Sequence, residues 1–278
     1  MIENGAHPAA LGTEPEDPVE RYEYHFLQLI ERNLDVPNEA LTALDMTAGN
    51  GFSTFTLWPR LPEGSRIIAL SDDRTKLSIF HEQLDHSLRN VIFPRKERCD
   101  RLPFAIGVFD LVWASLATVT LEPLRPTLRQ ALRVLRPGGQ ILVSAPLRDT
   151  FIELSSAIAN ALDAHGAQSV FPSLPSVPPE LLDLEGLEKT LIRCGAINVE
   201  TFRASVEITL VPPLSSQRLF SHYLLPIWIG DDPTLQARVL RILDDNLPEP
   251  ITLTAHIGCV VGRRGVSEID ETSVTGDR

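Results

Sequence analysis

Leu44-Asp45-Met46-Thr47-Ala48-Gly49-Asn50-Gly51-Phe52-Ser53-Thr54 gathers the strongest local signals of the chain into one short segment. An apolar run ends in an acid, two glycines stand two residues apart, and a run with helical character follows. That order predicts a strand over 43–46, a tight turn, and a helix over 52–58 that Pro59 ends. Glycine in the turn lets the backbone approach a ligand and reach dihedrals closed to other residues. Such a ligand would meet the free N–H groups of the helix N-terminus. A strand-to-helix turn that binds nothing is the competing reading.

Outward from this segment, strand and helix patterns alternate. Further strands are expected over 66–70, 90–93, 109–114 and 140–145, the run at 109–114 apolar enough to be covered on both faces. Helices are expected over 19–34, 76–88 and 122–135. Leu77, Phe80, Leu84 and Leu88 share one face of the second; Leu124, Leu128, Leu132 and Leu135 share one face of the third. Pro137-Gly138-Gly139 is expected to stop that third helix. Later come helices over 150–165 and 181–194, a proline-rich loop at 171–179, strands over 199–211 and 251–261, and between them two helical stretches within 215–246 broken near Gly230. The sum is an α/β fold of three layers, a Rossmann-like sheet, mostly parallel with an antiparallel edge strand. Residues 1–18 and 265–278, poor in apolar side chains, are expected to be flexible. The domain then covers 19–264, as a half at 19–146 and a second half at 147–264.

Three kinds of nucleotide loop compete for the segment at 44–54. A phosphate-binding loop needs Gly-Lys-Ser/Thr, which is absent. A dinucleotide fingerprint needs a final glycine where Thr54 stands. The acid followed by Gly49-Asn50-Gly51 resembles the first motif of the class I S-adenosylmethionine-dependent methyltransferases, with Thr47 in place of that family's first glycine. Arg66-Ile67-Ile68-Ala69-Leu70-Ser71-Asp72-Asp73 resembles the second strand of the family, and Leu102-Pro103-Phe104 with Phe109-Asp110-Leu111-Val112 its fourth-strand block. Leu132-Arg133-Val134-Leu135-Arg136-Pro137-Gly138-Gly139 is similar to its helix and turn before strand five. Together these cover about residues 40 to 146. The closest flavour is the group acting on small-molecule and carrier-bound substrates, which includes the malonyl-carrier O-methyltransferases.

The resemblance implies S-adenosylmethionine as cofactor, held over Asp45, Thr47, Ala48, Gly49, Asn50 and Gly51, beside Ser71, Asp72, Cys99, Asp100, Ala114 and Ser115. It departs from the family at two positions. The acid that grips the ribose hydroxyls is Ser71, with Asp72 one residue on. The acid that receives the adenine amino group falls at about Arg98, with Asp100 nearby, and arginine cannot accept a hydrogen bond. These departures keep a second function open: a methyltransferase-like domain without catalysis, serving as a binding or regulatory module. The first reading is methyl transfer to a small or carrier-bound acceptor. No catalytic residue, metal set or acid/base pair stands out; His222, Tyr223 and His256 are candidate bases by position, and Trp113 reads as core. Methyl transfer needs chiefly alignment of acceptor and methyl group and exclusion of water.

The chain's 278 residues carry a net charge of −12, which disfavours a nucleic-acid partner. Arg125, Arg129, Arg133 and Arg136 nevertheless line up along one predicted helix, either as a solvated face or as a docking surface for an acidic partner such as a carrier protein. Three separated cysteines, with no CxxC pair, read as free thiols of a reducing compartment. The first residues show no basic region followed by an apolar run, and the longest apolar stretch, 219–230, is interrupted by His222 and Pro226. The expectation is a cytoplasmic protein with no membrane segment.

Overall fold

The computed structural model describes residues 14–119, 121, 123–164, 182–226, 232–246 and 249–265. Helix α1 (Pro18–Glu31) opens the described fold. Asp17 caps it, its carboxylate accepting from the amides of Val19 and Glu20. Proline at the first helical position needs no partner for an N–H, and its fixed φ suits the first turn. Helix formation thus starts inside the segment expected to be flexible. Glu14 pairs with Arg21, and the expectations for 1–13 and 266–278 lie outside the described residues.

Seven strands form one sheet: β1 (Thr42–Asp45), β2 (Arg66–Ser71), β3 (Ile92–Lys96), β4 (Phe109–Ser115), β5 (Leu135–Pro146), β6 (Ala196–Leu210) and β7 (Ile251–Arg264). Their order is β3-β2-β1-β4-β5-β7-β6. The first five pair in parallel, and β7 runs antiparallel to both its neighbours. Winding reverses between β1 and β4, and the turn after β1 opens at that switch point, where ligands of open α/β sheets bind.

Between the strands lie α2 (Phe52–Leu57), α3 (Arg74–Gln83), α4 (Leu124–Val134), α5 (Ile152–Ala164), α6 (Leu184–Arg193) and α7 (Pro233–Asn246). One apolar cluster joins α1, α2, α3, α5 and α7 to one face of the sheet through Phe26, Phe55, Phe80, Trp113 and Leu142. A second joins α4 and α6 to the other face through Leu128, Leu132, Val112 and Val143. These are the three layers. Trp113, with no exposed surface, belongs to the core, as its strand position suggests.

Several boundaries differ from expectation. The helix expected over 76–88 ends at Gln83, because Leu84 turns to an extended conformation; Leu84 is still buried, but Leu88 packs from a loop. The helix expected over 122–135 ends at Val134, and Leu135 already opens β5. Pro137-Gly138-Gly139 therefore sits in the irregular start of a strand, not at a helix stop. Gly139 is needed there, since a Cβ would come within 2.9 Å of the carbonyl oxygens of Arg136 and Asp110. The third strand lies at Ile92–Lys96, two residues later than expected at its start. The antiparallel strands β6 and β7 extend past their expected ends, to Ala196 and Arg264, by pairing with each other. Within 215–246 the first helical stretch is a π-helical turn at Leu219–Leu224 and the second is α7. The break near Gly230 and the loop at 171–179 lie outside the described residues. Among the described residues, no helix is long and apolar enough to cross a membrane.

Candidate functional site

The turn after β1 is held from beneath by Asp45, which has no exposed surface. Its carboxylate accepts from the Thr47 amide at 3.0 Å, the Ser53 hydroxyl at 2.5 Å and the Thr54 hydroxyl at 2.7 Å. Burial raises its pKa to about 6, against the lowering effect of those hydrogen bonds. Asp45 is therefore committed to the turn and lines neither of the two clefts beside it. Thr47 uses its hydroxyl to accept from the Ser115 amide at 2.8 Å, tying the turn to the end of β4. A glycine at that position could not do so.

The two glycines have different tasks. Gly49 has φ +55°, and a Cβ there would find its nearest neighbour, Lys76 Cδ, at 3.8 Å. A side chain there would meet only ordinary contacts, and it would stand at the rim of both clefts. Gly51 has φ +100°, and a Cβ there would stand 2.7 Å from the rings of both Phe55 and Phe80. Packing alone requires a glycine at 51, and Gly51 lines neither of the two clefts beside the turn.

Two clefts open on either side of the turn. The first, about 320 Å³, is lined by Thr47, Gly49, Ser71, Asp72, Cys99 and Asp100, together with Glu97, Arg98, Val119 and Lys76. The second, about 310 Å³, is lined by Ala48, Asn50 and Ser115 with Glu20, Glu23, Thr118, Arg218 and Tyr223. Thr47, Gly49, Lys76 and Val119 line both. Ala114, fully buried on β4, lines neither cleft.

Within the first cleft, the Ser71 hydroxyl accepts from the Asp73 amide at 3.2 Å, and the Asp72 side chain is exposed beside it. Arg98 turns outward and pairs with Asp100 at 2.8 Å, lowering the Asp100 pKa by hydrogen bonding first and charge second. The guanidinium does not fill the space. Cys99 donates to the Met46 carbonyl at 3.2 Å, and burial, then the charges of Asp72, Asp45 and Asp100, push its thiol up to about 12. It is a packed thiol, not a nucleophile. Among the described residues no cluster could hold a metal ion.

In the second cleft, Thr118 donates its hydroxyl to Glu23. Burial and then Glu20 raise the Glu23 pKa, opposed by the Thr118 hydrogen bond and the charges of Lys76 and Arg218. The Ser115 hydroxyl, 7% exposed by residue, has no protein partner. A buried hydroxyl without a partner carries a cost that a ligand atom can remove. That orphan and Gly49, which lines both clefts without a side chain, fit a polar cofactor lying across the turn.

Of the candidate bases, only Tyr223 reaches the clefts. His222 is exposed and engages Ser221 at 2.8 Å. His256 lies in the middle of β7, bonded to Ser205 on the paired strand β6. Glu20, Glu23, Thr118 and Arg218 were not singled out by sequence. Glutamates on an amphipathic helix look like its solvated face, and nothing local links them to residue 218.

Residues 44–143 match the methyltransferase domain family. The chain is 30% identical over 127 residues to the malonyl-acyl-carrier-protein O-methyltransferase of Erwinia pyrifoliae, across 44% of this chain and 43% of the relative. It is 33% identical over 150 residues to that of Dechloromonas aromatica, across 52% and 50%. The chain thus spans about half the length of these curated relatives, or less. Among solved structures, YcgJ of Bacillus subtilis superposes with a TM-score of 0.60 over 88% of this chain and 100% of that one, at 14% identity, a likeness of fold alone. With the acid-anchored glycine turn at the switch point of the sheet, these matches make residues 44–143 a class I S-adenosylmethionine-dependent methyltransferase domain.

Proposed function

We propose that the chain transfers a methyl group from S-adenosylmethionine to a small or carrier-bound acceptor in the cytoplasm. The observation that carries this reading is the pair of clefts meeting at Thr47 and Gly49. One has polar groups suited to a nucleoside, and the other has room for an acceptor. The cofactor supplies an electrophilic methyl on a sulfonium. Asp72 and Ser71 hold the ribose hydroxyls, and Asp100 receives the adenine amino group. The Arg98 pair leaves Asp100 further acceptor capacity, since a carboxylate has about four lone-pair sites. Gly49 lets the backbone lie against the cofactor, and Ser115 bonds its amino-acid end. Aligning acceptor and methyl, and keeping water out, is the chemistry that remains.

The names of the relatives support a carrier-bound acceptor. Arg125 and Arg129, exposed on α4, offer an acidic carrier protein a docking surface. Arg133 and Arg136 are occupied within the fold: Arg133 donates to the carbonyls of Leu102 and Phe104, and Arg136 pairs with Asp110. Calorimetric titration of the full chain with S-adenosylmethionine and S-adenosylhomocysteine tests the reading. Low-micromolar binding of both is expected. No binding at millimolar ligand would favour instead a domain without catalysis.

A further inference from the structure

Helix α1 forms one wall of the second cleft and places Glu20 and Glu23, one turn apart, on it. Glu23 is fixed by the Thr118 hydroxyl. The next residue, Val119, lines both clefts. Glu23 is therefore anchored beside the junction through which a methyl group would pass.

The other charged or titratable groups around it are Glu20 from the same helix, Lys76 from α3, Asp73 at the cap of α3, and Arg218 and Tyr223 from the segment before α7. The cations face other protein groups as well. Arg218 stands 3.8 Å from Asp17, and Lys76 Nζ lies 5.9 Å from the centre of the Tyr223 ring. A carboxylate acceptor entering here would be set against two glutamates. A hydroxyl or amine would find an oriented proton acceptor. Burial raises the Glu23 pKa, and a raised pKa makes a carboxylate a stronger proton acceptor.

Resting on the methyl-transfer reading above, we propose that Glu23 is the base of the reaction and that the acceptor's nucleophile is a hydroxyl or an amine. The acceptor's lone pair forms the new bond to the methyl carbon. The carbon–sulfur bond breaks, and its electron pair stays on sulfur, which becomes a neutral thioether. The acceptor's proton passes to the Glu23 carboxylate, which becomes the neutral acid and later returns the proton to solvent.

Sinefungin tests this without any acceptor, because it carries an amine where the sulfonium methyl would be. S-adenosylhomocysteine lacks that group and has sulfur in place of the carbon that bears it, but shares the nucleoside and the amino-acid end. Titrations of both ligands into the full wild-type chain and into Glu23→Gln should show a preference of about tenfold for sinefungin in the wild type, the scale of one charge-assisted hydrogen bond. Glu23→Gln should lose the preference and keep its affinity for S-adenosylhomocysteine. A preference that survives in Glu23→Gln overturns the proposal. So does an equal loss of both ligands, which would place Glu23 at the cofactor's amino-acid end. Methylation of malonyl N-acetylcysteamine thioester by the wild type, undiminished in Glu23→Gln, overturns it as well. If neither ligand binds the wild type at millimolar concentration, the methyl-transfer reading falls and takes the proposal with it.

Discussion

Asp45 holds an acidic group where water does not reach, and the pH dependence of stability should show it. Its pKa is 3.8 in an exposed setting and about 6 in the fold. The folded state therefore binds the proton more tightly than the unfolded chain. The stability supplied by that proton is fully present below about pH 3.8 and is lost as pH rises through about 6. A shift of this size corresponds to roughly 3 kcal/mol. In urea unfolding, Asp45→Asn should remove this fall between about pH 4 and 7; the same fall in both proteins would argue against it. Six residues on, Gly51 has no room for a methyl group. Gly51→Ala should cost about 2–4 kcal/mol from strain at φ +100° and the collision with Phe55 and Phe80. Gly49→Ala, where the new methyl group meets only ordinary contacts, should cost only about 1 kcal/mol. Equal losses in chemical denaturation would mean that the two glycines share one role.

At the level of elements, α4 separates two kinds of arginine that look alike in sequence. Arg133 satisfies two loop carbonyls, each at 2.8 Å. Arg133→Ala should cost about 2 kcal/mol by leaving both unpaired. Charge reversal of Arg125 and Arg129 should move stability by less than about 0.5 kcal/mol, and should weaken binding of an acidic carrier protein in a pull-down at low salt. Stability losses of similar size at all three would mean that the exposed pair is structural too. The strands were legible because buried parallel strands are short apolar runs between turn residues, as at 109–114. Helix ends were less so. Whether the backbone leaves the helix at Leu84 or at Leu135 depends on where the next strand pairs, which no local pattern records.

Across the whole molecule, much of the lining of the first cleft was legible in sequence, and most of that of the second was not. The glycine turn and Ser71 follow one another along consecutive strands, so their meeting follows from topology. Glu23, Thr118 and the pair Arg218 and Tyr223 come from three distant stretches, and the packing of α1 beside the turn brings them together. That helix is divided lengthwise. Tyr22, Phe26, Leu29 and Ile30 sit in the core, Glu20 and Glu23 face the cleft, and Val19 and Leu27 serve both. Anchorage and the charge of the cleft wall are thus carried by different residues of one short segment. The two glutamates can be exchanged, and the cleft's choice of ligand with them, while the anchoring residues and the glycine turn stay as they are.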